Sequence, residues 1–102
     1  QDGDHAALHR IARGTQTVSV WKDARDLGMR AGEIAVELAG GTAMSDIEGA
    51  QEWTSPSGTT LWAEFLEPVP VTADNLSVVV DAGWIEQDAL CQGVTDGPAP
   101  CN

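Results

Sequence analysis

The stretch Thr15-Gln-Thr-Val-Ser-Val-Trp-Lys-Asp23 decides how the rest of the chain is read. Its Thr- and Val-rich centre, Gln16–Trp21, has strand character. It ends on Trp21, the only lysine of the chain, Lys22, and Asp23. An aromatic face, an ammonium and a carboxylate thus fall together at a strand end, which is where a small polar ligand is sought first.

Working outward, helical patterns flank this strand. On the N-terminal side, Asp4 can cap a helix by accepting backbone N–H bonds. Ala7, Leu8, Ile11 and Ala12 follow as an apolar stripe at helical spacing. Arg10 and Arg13 suit the negative end of the helix dipole, and Gly14 is the natural stop. On the C-terminal side, Asp23 can cap a longer helix, with Ala24, Leu27, Ala31, Ile34, Ala35 and Leu38 repeating at three- and four-residue steps. Arg30 can reach Asp26 and Glu33 on the polar face, and Gly40-Gly41 ends the helix. Its apolar face is mostly small, so close packing against a sheet is expected. Helix–strand–helix over residues 4–39 is the rhythm of an α/β sheet with parallel strands, the others being missing. The chain is therefore expected to be a piece of something larger or to pair with another chain.

Further along, Gln51–Thr54 and Thr60–Leu66 read as a hairpin around Ser55-Pro56-Ser57-Gly58. Glu67-Pro-Val-Pro-Val-Thr72 must run extended, because prolines forbid helix, and reads as a crossing segment or linker. Thr72-Ala-Asp-Asn75 offers caps for a short helix through Val80, which Gly83 breaks. Ile85–Cys91 reads as a last short helix before a loop tail.

Composition excludes several partners. The net charge is −11, and all five basic residues lie in the first 30 positions. Residues 31–102 hold twelve acids and no base. Nucleic acid is excluded as a partner, since phosphate neutralisation needs clustered Lys and Arg, and anionic membrane surfaces for the same reason. The acidic surface reads as solvated, with a metal-gathering patch as the alternative. No apolar run approaches the about 20 residues of a membrane span. The opening Gln1-Asp2-Gly3-Asp4, without an initiating Met, reads as a mature, processed or truncated product. Cys91 and Cys101 are either a disulfide closing a small Gly- and Pro-rich loop or two free thiols.

Several short patterns carry no chemistry. His5 and His9 have helical ligand spacing but lack the third ligand and general base of a zinc protease. Asp2-x-Asp4 resembles the start of a calcium loop, but its twelfth position is Arg13. Asn75-Leu-Ser77 matches a glycosylation acceptor by accident of length, and Glu33 and Glu37 form a solvated face. No nucleophile–base pair and no phosphate loop can be argued. No cofactor and no metal is expected. A parallel sheet would put Asp2, before the first helix, and Lys22, after the strand, at its carboxyl edge, where ligands bind. A carboxylate and an ammonium suit a neutral polyol. Trp21 could cover a sugar ring, although strand alternation points it away from Lys22.

Six phrases together carry a resemblance: Gln1-Asp2-Gly-Asp4, Gly14-Thr-Gln-Thr-Val-Ser-Val-Trp-Lys22, Ala31-Gly-Glu-Ile-Ala-Val-Glu-Leu38, Leu66-Glu-Pro-Val-Pro-Val-Thr72, Asp74-Asn-Leu76 and Asp81-Ala-Gly-Trp84. In order and spacing, residues 1–91 resemble the C-terminal third of periplasmic sugar-binding proteins of the ribose/xylose type, the solute receptors of ABC transporters. Where that family often has Tyr and Pro around the lysine, this chain has Trp21 and Asp23. The Cys91/Cys101 tail lies beyond the resemblance.

The resemblance implies a partial type I periplasmic-binding-protein fold, a fragment contributing to both lobes of a two-lobe parallel-sheet sandwich. Residues 1–22 would belong to the C-terminal lobe (helix plus hinge strand), 23–66 to the N-terminal lobe (helix plus hairpin), and 67–102 to a hinge crossing and tail. It implies a non-enzymatic, extracytoplasmic receptor for a pentose, D-xylose, with Asp2 and Lys22 as sugar contacts. The implied partners are a transporter permease and the remaining N-terminal part of the receptor. A sugar-sensing regulatory protein with the same fold is the alternative, and a two-carboxylate hydrolase ranks below both.

Overall fold

The computed structural model describes residues 1–102 as two compact units. One joins Gln1–Asp23 to Pro68–Asn102, and the other is Ala24–Glu67.

The first unit is built on α1 (His5–Ala12). Asp4 caps it as the sequence predicts, with Oδ2 accepting from Ala7 N at 3.2 Å. The helix stops at Gly14, whose N–H donates to Ile11 O. Ala7, Leu8, Ile11 and Ala12, the stripe read from spacing, are the residues it buries. Leu8 and Ile11 together contribute about 3–6 kcal/mol of burial free energy. They pack in one core with Trp21, Val71, Leu76, Val79, Ile85 and Leu90.

The strand β1 is shorter than expected, Ser19–Trp21. Its partner is not a parallel neighbour. It pairs antiparallel with β4 (Val69–Val71), Ser19 opposite Val71 and Trp21 opposite Val69. The extended segment read as a crossing thus contains a strand, and the expected parallel sheet is replaced by two antiparallel pairs. Parallel pairing needs a helix that returns the chain to a strand beside the first. Here the helix after β1 leads into a hairpin. Pro70 is tolerated because it faces Val20 with both carbonyls turned outward. Val20 O accepts from Asp2 N at 2.6 Å and Pro70 O from Asn75 Nδ2 at 3.0 Å. At such a position the missing N–H breaks no ladder bond.

Thr72 and Asn75 then form a reciprocal capping box ahead of α3 (Ser77–Asp81), which buries Val79. The last helix, α4 (Gln87–Leu90), buries Leu90. Cys91 and Cys101 are joined in a disulfide with Cα atoms 5.2 Å apart. It closes the tail into a loop that is also held by Gln87 Nε2–H to Pro100 O at 2.9 Å.

The second unit consists of α2 (Ala24–Ala39), a short turn of helix at Met44–Asp46 and a hairpin. The hairpin strands β2 (Gln51–Thr54) and β3 (Thr60–Ala63) pair with Thr54 opposite Thr60, as predicted except that β3 ends at Ala63 rather than Leu66. Arg30 of α2 binds Glu33 as the helical spacing suggests. It also reaches Glu64 Oε2 at 2.8 Å and Glu48 O at 2.6 Å, joining helix, loop and hairpin. The guanidinium pKa is raised, first by the bond to Glu64 and then by the bond to Glu33. Gly49 lets Glu64 come close, since a Cβ there would stand 2.8 Å from Glu64 Oε1. The close-packed face expected of α2 is not observed, because no residue of the helix is buried. Val36 is 73% exposed and Met29 61%.

Candidate functional site

Asp2 and Lys22, twenty positions apart, meet in the first unit. Lys22 follows directly on β1, whose residues alternate inward at Ser19, outward at Val20 and inward at Trp21. The same alternation turns Lys22 outward. Asp2 is delivered by the turn before α1. It has φ 64° and is followed by Gly3 with φ 65°, so two successive left-handed residues fold the N-terminal segment against β1. The Asp2 N–H donates to Val20 O at 2.6 Å and the Gly3 N–H to the buried Ser19 Oγ at 3.3 Å. Lys22 Nζ then lies 2.9 Å from Asp2 Oδ1, with the side chains 42% and 62% exposed.

This pair has unused bonding capacity. An ammonium has three donors and a carboxylate about four acceptor sites, and the mutual bond takes one of each. The rest faces water and can exchange water for hydroxyl groups, donating to one oxygen and accepting from a neighbouring O–H. Charge-assisted bonds of that kind fit the adjacent hydroxyls of a neutral polyol.

Trp21 does not provide an open face for a ring. It is 5% exposed, part of the core, and its centroid lies 5.7 Å from that of Trp84. Its Nε1 is buried without a hydrogen-bond partner. Trp84, which the sequence reading did not single out as a site residue, lies closer to the chemistry. Its Nε1–H donates to Gly3 O at 2.7 Å. No local pattern announces a bond across 81 positions, so only the fold reveals it.

The histidines of α1 have structural partners. His5 Nε2 is 3.0 Å from Trp84 O and His9 Nε2 2.8 Å from Gln92 O. A carbonyl only accepts, so each Nε2 carries hydrogen and both rings tie α1 to the C-terminal segment. No group of three or more His, Cys, Asp or Glu side chains is arranged to hold a metal ion. A hollow of about 90 Å³ in the second unit, walled by Ile34, Leu38, Ile47 and Trp62, is mainly apolar and includes neither Asp2 nor Lys22. No helix is long and apolar enough to cross a membrane.

Comparison with known proteins finds similarity to periplasmic proteins that bind D-xylose. Over 92 residues, 88% of this chain, it is 35% identical to the D-xylose-binding periplasmic protein of Escherichia coli (strain K12). Over 38 residues, 37% of this chain, it is 53% identical to the D-xylose-binding periplasmic protein of Haemophilus influenzae. The chain spans only 26% of the first relative and 11% of the second. It is thus similar to one part of such a protein. No protein-family model matches the chain, and no solved structure does.

Proposed function

We propose that this chain forms part of an extracytoplasmic solute receptor that binds a pentose, D-xylose, between two lobes and presents it to an ABC transporter permease. Asp2 and Lys22 serve as sugar contacts. The observation that carries the reading is the 2.9 Å Asp2–Lys22 pair, half-exposed at a strand end in a chain 35% identical to a D-xylose-binding periplasmic protein. The reading extends to the fold. Residues 1–22 and 23–66 belong to opposite lobes of a type I periplasmic-binding-protein architecture, and 67–102 supply a crossing between them and the tail. The exposed apolar side chains of α2 support this, since a receptor lobe offers what would cover them. The further sugar contacts come from the remaining N-terminal part of the receptor.

The test is complementation. The Escherichia coli relative, shortened by the segment that this chain matches, is mixed with the 102-residue chain and titrated with D-xylose in a calorimeter. Saturable heat with the wild-type chain, and clearly weaker binding with Asp2→Asn or Lys22→Met, is expected. A complex that assembles and binds xylose equally well with both variants would overturn the assignment of the pair.

A further inference from the structure

We infer that Trp84 is a positioning residue for the Asp2–Lys22 pair, acting through the backbone of Gly3. The functional meaning rests on the reading that this pair contacts sugar, whereas the positioning itself does not.

The pair depends on an uncommon piece of backbone. Asp2 has φ 64°, a region that residues with a side chain seldom occupy. Gly3, at φ 65°, continues the turn. Without this double turn the Asp2 N–H would not reach Val20 O, and its carboxylate would not face Lys22, just past the end of β1.

Three hydrogen bonds hold the turn. Two come from the strand that carries Lys22: Asp2 N–H to Val20 O at 2.6 Å and Gly3 N–H to Ser19 Oγ at 3.3 Å. The third is Trp84 Nε1–H to Gly3 O at 2.7 Å. It is the one side-chain bond holding the carbonyl side of the turn, and it is partly shielded from water, where losing a partner is costly. It also arrives from a different element. Trp84 follows α3, and its ring packs against the core. The indole therefore ties the Asp2–Gly3 turn to the segment after α3, in addition to the two bonds that tie it to β1.

Steric fit adds to the hydrogen bond. A Cβ at Gly3 would stand 2.5 Å from Trp21 Cδ1 and 3.2 Å from Trp84 Nε1. Both indoles lie against the face of the glycine where a side chain would start, and their own centroids are 5.7 Å apart. Trp21 fills space there without using its N–H. Trp84 uses its N–H as well, so the directional part of the clasp belongs to Trp84.

The experiment separates the N–H from the bulk of the ring. In the 102-residue chain, Trp84 is replaced by Phe and, as a volume-conserving second variant, by benzothienylalanine, in which sulfur takes the place of N–H. Two NMR readouts are taken. One is amide hydrogen exchange at Gly3 relative to Leu8 and Ile11. The other is the change in the Lys22 side-chain signals caused by Asp2→Asn, which reports the ion pair. Exchange at Gly3 is expected to rise about tenfold, as loss of one shielded bond implies, with Leu8 and Ile11 within about twofold of wild type. The Lys22 response to Asp2→Asn should fall by at least about half once the turn is released. If the benzothienylalanine chain keeps wild-type Gly3 exchange and Lys22 response, the inference is overturned. It is equally overturned if α1 amides open as much as Gly3, because Trp84 would then only fill the core. Neither readout involves sugar, so failure of xylose binding in the complementation experiment leaves this result standing.

Discussion

Lys22 Nζ and Asp2 Oδ1 stand 2.9 Å apart although both side chains remain substantially exposed. Exposure decides what the pair is worth to the fold. Surface ion pairs contribute about 0–1 kcal/mol, since water screens them and both side chains lose rotamer freedom. Asp2→Asn and Lys22→Met should therefore leave the urea midpoint of the isolated chain nearly unchanged. In the complemented receptor each should weaken xylose binding by about 10- to 100-fold, the range for one charged hydrogen bond. A large loss of stability with either variant would mark the pair as structural.

The isolated chain is expected to give no measurable heat with D-xylose. Two half-exposed side chains on one surface cannot enclose a ring, and small-ligand sites bury most of their ligand. Calorimetry is the direct check. A micromolar site in the chain alone would overturn the view that other contacts come from elsewhere.

The Cys91–Cys101 bond fastens the tail beside Leu90, a fully buried core residue. Cross-linking across a ten-residue separation should contribute about 2–3 kcal/mol, mainly by restricting the unfolded chain. Reduction, or the double substitution Cys91→Ala with Cys101→Ala, should lower unfolding free energy by that amount. Urea titration with and without dithiothreitol measures it. No difference would mean that the tail is held by packing alone.

What the sequence disclosed and what it hid divide along one physical line. The stripe Ala7, Leu8, Ile11, Ala12 gave both helix and buried face, because the covering surface lies in the same unit. The stripe Leu27, Ala31, Ile34, Leu38 gave the helix equally well and yet buries nothing. Periodicity reports the shape of a helix but not whether a partner is present. The hairpin was legible from Pro56 and Gly58 because turn chemistry is local. The β1–β4 pairing was not, since Pro70 argues against a strand until Val20 is seen opposite it. Asp2 and Lys22 came from a resemblance together with plausible chemistry. Trp84 had no local signal, its partner being at the other end of the chain.

The same contrast sets the local stability of the second unit. A helix without a fully buried side chain opens more readily than one with a buried face, so α2 amides should exchange well before those of α1 at Leu8 and Ile11. Arg30 is the main tie, linking α2 to Glu64 and Glu48 while also pairing with Glu33 and Glu37 of its own helix. Arg30→Met removes these links and should speed α2 exchange further while leaving α1 unchanged. Arg30→Lys should rescue it only in part, because an ammonium lacks the planar fork that serves several acceptors at once. Equal protection of the two helices would show that α2 gains stability from a source other than buried side chains. An unchanged Arg30→Met profile would place that source outside the Arg30 cluster.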